Sequence, residues 1–335
     1  MSNRESLKTD FRASGRDLVL SSTGASGIKS IQHVQKLWSG YGEIVRLILE
    51  YSDDIGRTER ATSVVVKHIK KPDKPKHPRG WNTDESAARK MMSYKVEANW
   101  YSNYAEKSRH VCAMPKLLAT RSTENDTWLV LEDMDLRFPI RNTSLSPEQC
   151  LPCLQWLARF HALHIQSTGK GLWPNGSYWH LKTRQDELNA MQASELKDAA
   201  VLLDKRLSNC IHSTLIHGDA KVANVCFADS SSEIAMVDFQ YVGRGCGMRD
   251  VVYFLGSCLS GPQCEQYASS LLNSYFEELK HHLPVSLQSS IESDWRGLYA
   301  IAWADFHRFL AGWKPDHTKI NSYTLAMTEQ ALREL

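Results

Sequence analysis

Charge of one sign is nearly absent in excess: 40 Lys and Arg stand against 38 Asp and Glu. No strong global field is available to draw the chain to nucleic acid, so none is expected as a partner. Long apolar runs are missing too. The longest, around residues 251–259, is broken by Gly256 and falls far short of the roughly 20 residues that cross a bilayer. No membrane span is expected. Residues 1–17 mix both charge signs and lack the apolar core of a secretory leader. The eight cysteines form no framework. Cys150 and Cys153 make a lone CxxC around Pro152, with no second pair or nearby histidine pair to complete a zinc site. Buried thiols in a reducing cytoplasm are the expectation. No internal repeat or low-complexity tract appears, and 42% hydrophobic with 23% charged residues is an ordinary globular composition.

What is present changes character along the chain. Residues 30–37 and 43–51 are Ile- and Val-rich and read as strands around Gly40 and Gly42. A turn signal at Asp53, Asp54 and Gly56 leads to a third apolar run, 61–70. Residues 70–79 are basic and proline-rich, which forbids regular structure and predicts a solvated loop. Met92, Val96, Trp100 and Tyr104 then recur near helical spacing within 85–105, with Asp84 as a candidate cap. Residues 128–131 form a short buried-type strand whose acidic exit, Glu132 to Asp135, reads as a connector. Beyond Ser146 the pattern is mainly helical, interrupted by short strands at 213–216 and 234–237. These patterns predict an α+β chain with an antiparallel, strand-rich first part and a larger helical second part.

The densest chemistry lies between Leu215 and Phe227. Asp219 follows a strand in His217-Gly218-Asp219, and Asn224 comes five residues later. Asp238 ends the next strand, nineteen residues after Asp219, and precedes Phe239. Phosphoryl transfer needs a carboxylate to orient a hydroxyl and accept its proton, and hard oxygen ligands for a metal at the phosphates. These three residues supply both.

This set resembles the catalytic and metal-binding loops of the aminoglycoside phosphotransferase and choline kinase superfamily, relatives of the protein kinases. With Gln240 and the run 131–134, the chain looks most similar to the ecdysteroid-kinase-like branch. The resemblance implies a protein-kinase-like two-lobe fold, with an N-lobe over 1–133 and a C-lobe over 134–335. It also implies ATP and Mg2+, with Asp219 as base, Asn224 and Asp238 as metal ligands, and Leu131, Glu132 and Met134 beside the nucleotide. Lys67, ending an apolar strand, would hold the phosphates, and Glu97, thirty residues on, would pair with it. The alternative for Lys67 is an exposed strand lysine, and Lys70 is the other candidate. Gly40 and Gly42 fit a phosphate-approaching loop or simply a tight hairpin, since no full GxGxxG is present.

Lys221, two residues after Asp219, stands where Ser/Thr protein kinases direct a lysine at the transferred phosphate; an exposed loop lysine is the other reading. Asp250 resembles a helix-start aspartate that braces the catalytic loop, and as an N-cap it needs no further role. His161 and His164 sit too close for the usual i,i+4 zinc pair. Trp303, Asp305 and Trp313, with Gln240, are candidates for a substrate wall, against the alternative of core packing.

The acceptor is expected to be a small hydroxylated molecule. Little chain separates Asp238 from the helix predicted near Asp250, and no Ala-Pro-Glu follows, so the activation segment of a protein kinase has no room. Gln240 replaces the acidic residue usual in choline kinases, and Lys221 replaces the aromatic frequent in ecdysteroid kinases, so the acceptor's identity stays open, as does oligomeric state. A nucleotide-binding pseudokinase is the alternative function. It would be expected to lack one of Lys67, Asp219, Asn224 or Asp238, and none is missing.

Overall fold

In the computed structural model, residues 15–37, 40–52, 60–72, 84–123, 126–230 and 232–335 are described. The turn at Asp53 to Gly56, most of the basic loop and Ser39 lie outside them. Two compact units divide the chain, one formed by residues 1–94, 101–107 and 115–136, the other by 95–100, 108–114 and 137–335.

Alternating Val, Ile and Leu positions give the first unit its sheet. β1 (Gly27–Lys36), β2 (Gly42–Glu50), β3 (Ser63–Lys70), β4 (Leu117–Ser122) and β5 (Asp126–Glu132) pair antiparallel in the order β1-β2-β3-β5-β4. Helix α1 (Arg16–Thr23) contributes Val19 to a core with Val45, Leu47, Val64, Val66, Trp128 and Val130. Removing each such side chain from water contributes about 1.5–3 kcal/mol. Helix α2 (Asp84–Asn103) and the short α3 (Ala105–Ser108) lie between β3 and β4 in sequence.

Helices build most of the second unit: α4 (Pro147–Leu163), α5 (Gln185–Ala190), α6 (Glu195–Asp198), α7 (Ala200–Ser208), α8 (Met248–Cys258), α9 (Gly261–His281), α10 (Val285–Gly297), α11 (Tyr299–Trp313) and α12 (Ser322–Arg333). α4 starts where the sequence signals it. The Ser146 hydroxyl accepts from Gln149 N at 3.3 Å while Gln149 Oε1 accepts from Ser146 N at 3.0 Å, and Pro147 opens the helix. Two short ribbons carry the loops of interest: β6 (Thr214–Ile216) pairs with β9 (Gly243–Gly245), and β7 (Val225–Phe227) pairs with β8 (Ile234–Met236). Among the described residues, no helix is long and apolar enough to cross a membrane.

One helix contact in this unit depends on a glycine. A Cβ on Gly312 of α11 would stand 1.8 Å from the Glu187 carbonyl oxygen of α5, far inside van der Waals contact. Gly312→Ala is therefore expected to lower stability by about 1–3 kcal/mol. A fall in the urea midpoint checks this. An unchanged midpoint would show that α5 yields freely.

Candidate active site

Asp219 is positioned by backbone constraints on both sides. The preceding Gly218 has φ +78, and a Cβ there would meet the Tyr241 carbonyl oxygen at 2.1 Å. Only glycine passes this corner without strain. Asp250, fully buried in the first turn of α8, accepts from His217 N at 2.6 Å and Gly218 N at 2.9 Å. His161 joins it, with Nε2 3.2 Å from Asp250 Oδ2 and Nδ1 2.7 Å from the Tyr275 hydroxyl. The two histidines of α4 are thus core groups, since His164 in turn bonds Ser108 at 2.9 Å and burial pulls its pKa down to about 4.

One carboxylate oxygen of Asp219 is committed and the other is not. Oδ2 accepts from Lys221 Nζ at 2.9 Å and from Asn224 Nδ2 at 3.0 Å. Oδ1 is buried with no hydrogen-bond partner in the structure. Leaving such an oxygen unmet costs about 1–3 kcal/mol or more, which a hydroxyl donor would relieve. Burial opposes the charge of Lys221, but Asp219 and Asp238 outweigh it and raise its pKa. Lys221 is accordingly an ion-paired residue of this cluster rather than a loop lysine in open solvent.

The β7–β8 register brings the second carboxylate alongside. Val225 pairs with Met236, and Val237 N donates to Asn224 O at 3.0 Å, so Asp238 follows directly. Asp238 is half-buried at φ +69, a conformation uncommon for a side-chain-bearing residue. Gln240 Nε2 donates to its Oδ1 at 2.5 Å, so this glutamine orients the carboxylate. Phe239 stacks on Trp100 with centroids 4.9 Å apart, and also meets His217 at 4.6 Å. Among the described residues, no three His, Cys, Asp or Glu side chains form a self-sufficient metal site. Magnesium shared with phosphate oxygens needs only one or two protein ligands. Asp238 fits, and so does Asn224, whose amide nitrogen faces Asp219 and leaves its oxygen for a ligand.

The first unit carries most of the other candidates, and Glu97 lies in the second. Lys67 on β3 is only 3% exposed, with Nζ 5.7 Å from the Tyr94 ring centroid. The reading of an exposed strand lysine is therefore excluded, whereas Lys70 is exposed. Glu97 on α2 is 1% exposed. Gly40 and Gly42 both have positive φ, and Gly42 also lies where a Cβ would reach His68 O at 2.0 Å. Strand packing alone thus requires Gly42. Leu131 and Met134 are buried, and the Glu132 carboxylate accepts from Lys116 N at 3.1 Å. The acidic exit is fixed by Arg46, whose Nε donates to Asp133 Oδ2 at 2.7 Å and which also pairs with Asp135. Ser63 adds a bond to Asp133 at 2.6 Å.

Two α11 members of the candidate substrate wall are buried. Asp305 is fully buried, its Oδ1 2.9 Å from Arg308 Nε and its Oδ2 3.7 Å from Arg249 Nη2. Two buried guanidinium groups need that charge where it is. Trp303 packs in the core against Tyr299 and Tyr323, while Trp313 stacks on Phe309 at 5.9 Å. Trp303 and Asp305 are core groups, and Trp313 is half-buried. The sequence reading missed two groups that feel the Asp219 charge: Tyr253, whose phenol is raised well above its ordinary range by burial and then by that charge, and Lys319, lowered to about 8 mainly by burial. Neither sits in a motif, so no local signal marks them.

This architecture, a five-stranded antiparallel sheet and a helical unit with paired acidic loops, is the protein-kinase-like fold. Structures that share it include an aminoglycoside phosphotransferase from Streptomyces rimosus, solved with ADP and streptomycin. It is 14% identical, with a TM-score of 0.50 over 88% of this chain and 99% of that one. An ethanolamine kinase from Plasmodium vivax is 11% identical, with a TM-score of 0.51 over 99% and 94%. None of the curated proteins matches the sequence. Residues 41–169 and 177–286 match the ecdysteroid kinase-like family, and the chain belongs to it.

Proposed function

We propose that the protein transfers the γ-phosphate of ATP to a hydroxyl of a small molecule, in a magnesium-dependent reaction with Asp219 as base. The observation that carries this reading is the Asp219 carboxylate itself. Lys221 and Asn224 hold Oδ2 in place, and Oδ1 is buried and unmet. That leaves one carboxylate oxygen to accept a hydroxyl proton, as general base catalysis requires.

The remaining residues take roles by chemistry. Asn224 and Asp238 would hold Mg2+, with Gln240 fixing the Asp238 carboxylate. When bound, the metal supplies charge neutralisation at the phosphates. Lys221, kept protonated by its two carboxylate neighbours, would offset charge on the transferring phosphoryl oxygens. Lys67 is assigned to the nucleotide phosphates and Glu97 to its support. The Gly40 and Gly42 amides would approach the same phosphates, and the backbone at Leu131, Glu132 and Met134 would meet adenine. A small acceptor is favoured because only β9 and a short link separate Asp238 from α8. No peptide-docking segment fits there.

The test is ATP consumption by the purified protein against amino alcohols, sterols, sugars, hydroxy acids and aminoglycosides. Acceptor-dependent ADP release that disappears with EDTA and returns with magnesium is expected. ATP binding without turnover on any acceptor would favour the pseudokinase reading, and no nucleotide binding at all would overturn the assignment.

A further inference from the structure

Five aromatic rings near the catalytic loop have no part in the chemistry of Asp219 and Asp238. Trp173 and Tyr178 come from the segment before α5, Tyr241 from the turn after Asp238, and Phe309 and Trp313 from α11. They touch in a row. Trp173 lies parallel to Tyr241 at 6.3 Å, and Tyr241 meets Tyr178 edge-on at 5.1 Å. Tyr178 meets Phe309 edge-on at 5.6 Å, and Phe309 stacks on Trp313 at 5.9 Å. Exposure alternates along the row: Tyr241 and Phe309 are buried, whereas Trp173, Tyr178 and Trp313 are half-buried. Every other ring thus keeps open surface.

The row is fastened to both functional loops. Tyr178 N donates to Gly218 O at 2.7 Å, directly before Asp219. Trp173 Nε1 donates to Gln240 O at 2.8 Å, two residues after Asp238. Ser177 holds the corner between these rings at φ +126, a strained conformation for a residue with a side chain. Its N–H donates to Tyr241 O at 3.3 Å, and its hydroxyl accepts from Trp179 N at 3.1 Å. What the strained corner delivers is the Tyr178 ring against the catalytic loop. The Arg184 guanidinium lies 4.1 Å from that ring's centroid. Arg184 is itself fixed, donating from Nε to Tyr178 O at 2.7 Å and from Nη1 to Glu187 Oε1 at 3.0 Å. A cation therefore already fills one face of Tyr178, and the ring cannot swing away.

We propose that Trp173 and Tyr178 form the acceptor platform, receiving an uncharged aromatic alcohol whose ring continues the row while its hydroxyl reaches Asp219. The inference rests on the phosphotransferase reading and narrows its acceptor. Aromatic rings gain from edge-on and offset contact with other rings beyond what buried area alone supplies. A cationic head group gains little at Tyr178, because Arg184 already draws on that ring. An anion is offered no unpaired cation by this segment or the loop, since Arg184 bonds Glu187 and Lys221 bonds Asp219.

Four alcohols that share one hydroxyethyl group test this: phenethyl alcohol, cyclohexylethanol, choline and the uncharged tert-butyl isostere of choline. Binding is measured by calorimetry with MgADP present, and transfer by ADP release with ATP. Phenethyl alcohol is expected to bind about 2–10-fold more tightly than cyclohexylethanol, and choline no more tightly than its isostere. Tyr178→Phe should retain the aromatic preference and Tyr178→Leu should abolish it. The change should fall on the acceptor KM, with the ATP KM unmoved. The urea midpoint reports whether each variant folds, and Trp173→Leu, read in the same way, stands in if Tyr178→Leu does not. No binding of phenethyl alcohol to the wild type, a saturated ring bound as tightly as the aromatic one, or a preference unchanged in the leucine variant overturns the proposal. Phosphate transfer to choline in preference to phenethyl alcohol would also overturn it, while keeping the kinase reading. Aromatic preference lost in the leucine variant, without phosphate transfer to any of the four, would leave the platform standing and count against the kinase reading instead.

Discussion

Asp219→Asn is expected to lower phosphate transfer by about 10²–10⁴-fold while leaving nucleotide affinity and folding nearly unchanged. The substitution preserves shape. The new amide can keep its oxygen toward Lys221 Nζ and Asn224 Nδ2, the two donors that now hold Oδ2 at 2.9 and 3.0 Å. Its nitrogen then occupies the place of Oδ1, so a donor faces the hydroxyl where an acceptor is required. The same change removes the strongest support for the Lys221 charge, whose pKa should move down toward its ordinary value. Turnover with the identified acceptor, ATP affinity by calorimetry and the urea midpoint together check the prediction. Turnover within a few-fold of wild type would remove Asp219 as the base.

Legibility in the sequence followed the range of the interactions. The strands at 43–51 and 61–70 and the helix at 85–105 were visible as periodic patterns, and they form as β2, β3 and α2. The α+β class followed from them, and the kinase-like fold from the family resemblance carried by Asp219, Asn224 and Asp238. That spacing is readable because its hydrogen bonds close within a few residues, as Asn224 to Asp219 does. Three strands were missed. β7 lies within the run from Leu215 to Phe227 that reads as a loop, β9 is Gly243-Arg244-Gly245 with no apolar side chain, and β4 carries a mixed Leu117 to Ser122 sequence. The 301–313 segment left two readings open for a different reason. Its aromatic and charged residues look like a lined face, but α11 is buried on nearly every side, so periodicity no longer separates inside from outside. The i,i+3 spacing of Asp305 and Arg308 was the available sign of a pair bonded within the helix. Lys319 had no sign at all, because only the tertiary fold brings it within reach of the Asp219 charge.

The brace under the catalytic loop gives the second large expected effect, and it separates shape from chemistry. Asp250→Asn should destabilise the protein by about 3 kcal/mol and reduce transfer as well. Asp250 is fully buried and takes three hydrogen bonds: His217 N at 2.6 Å, Gly218 N at 2.9 Å and His161 Nε2 at 3.2 Å. An asparagine offers one oxygen to that set and sets its own N–H groups against at least one donor. Either Gly218 N or His217 N is then left buried and unmet. Because Gly218 is confined by the Tyr241 carbonyl and its positive φ, the strain passes forward to Asp219. The lowered urea midpoint reports the lost bonds. A fall in kcat at saturating ATP and acceptor, in the fraction that remains folded, reports the displaced base. His161→Phe removes the bonds from the histidine to Asp250 and to Tyr275 but leaves both loop amides met, so it should cost less kcat. Destabilisation with kcat unchanged would mean that the His217 to Asp219 turn keeps its geometry without the aspartate, and that Gly218 and the β6–β9 pairing suffice to aim the carboxylate.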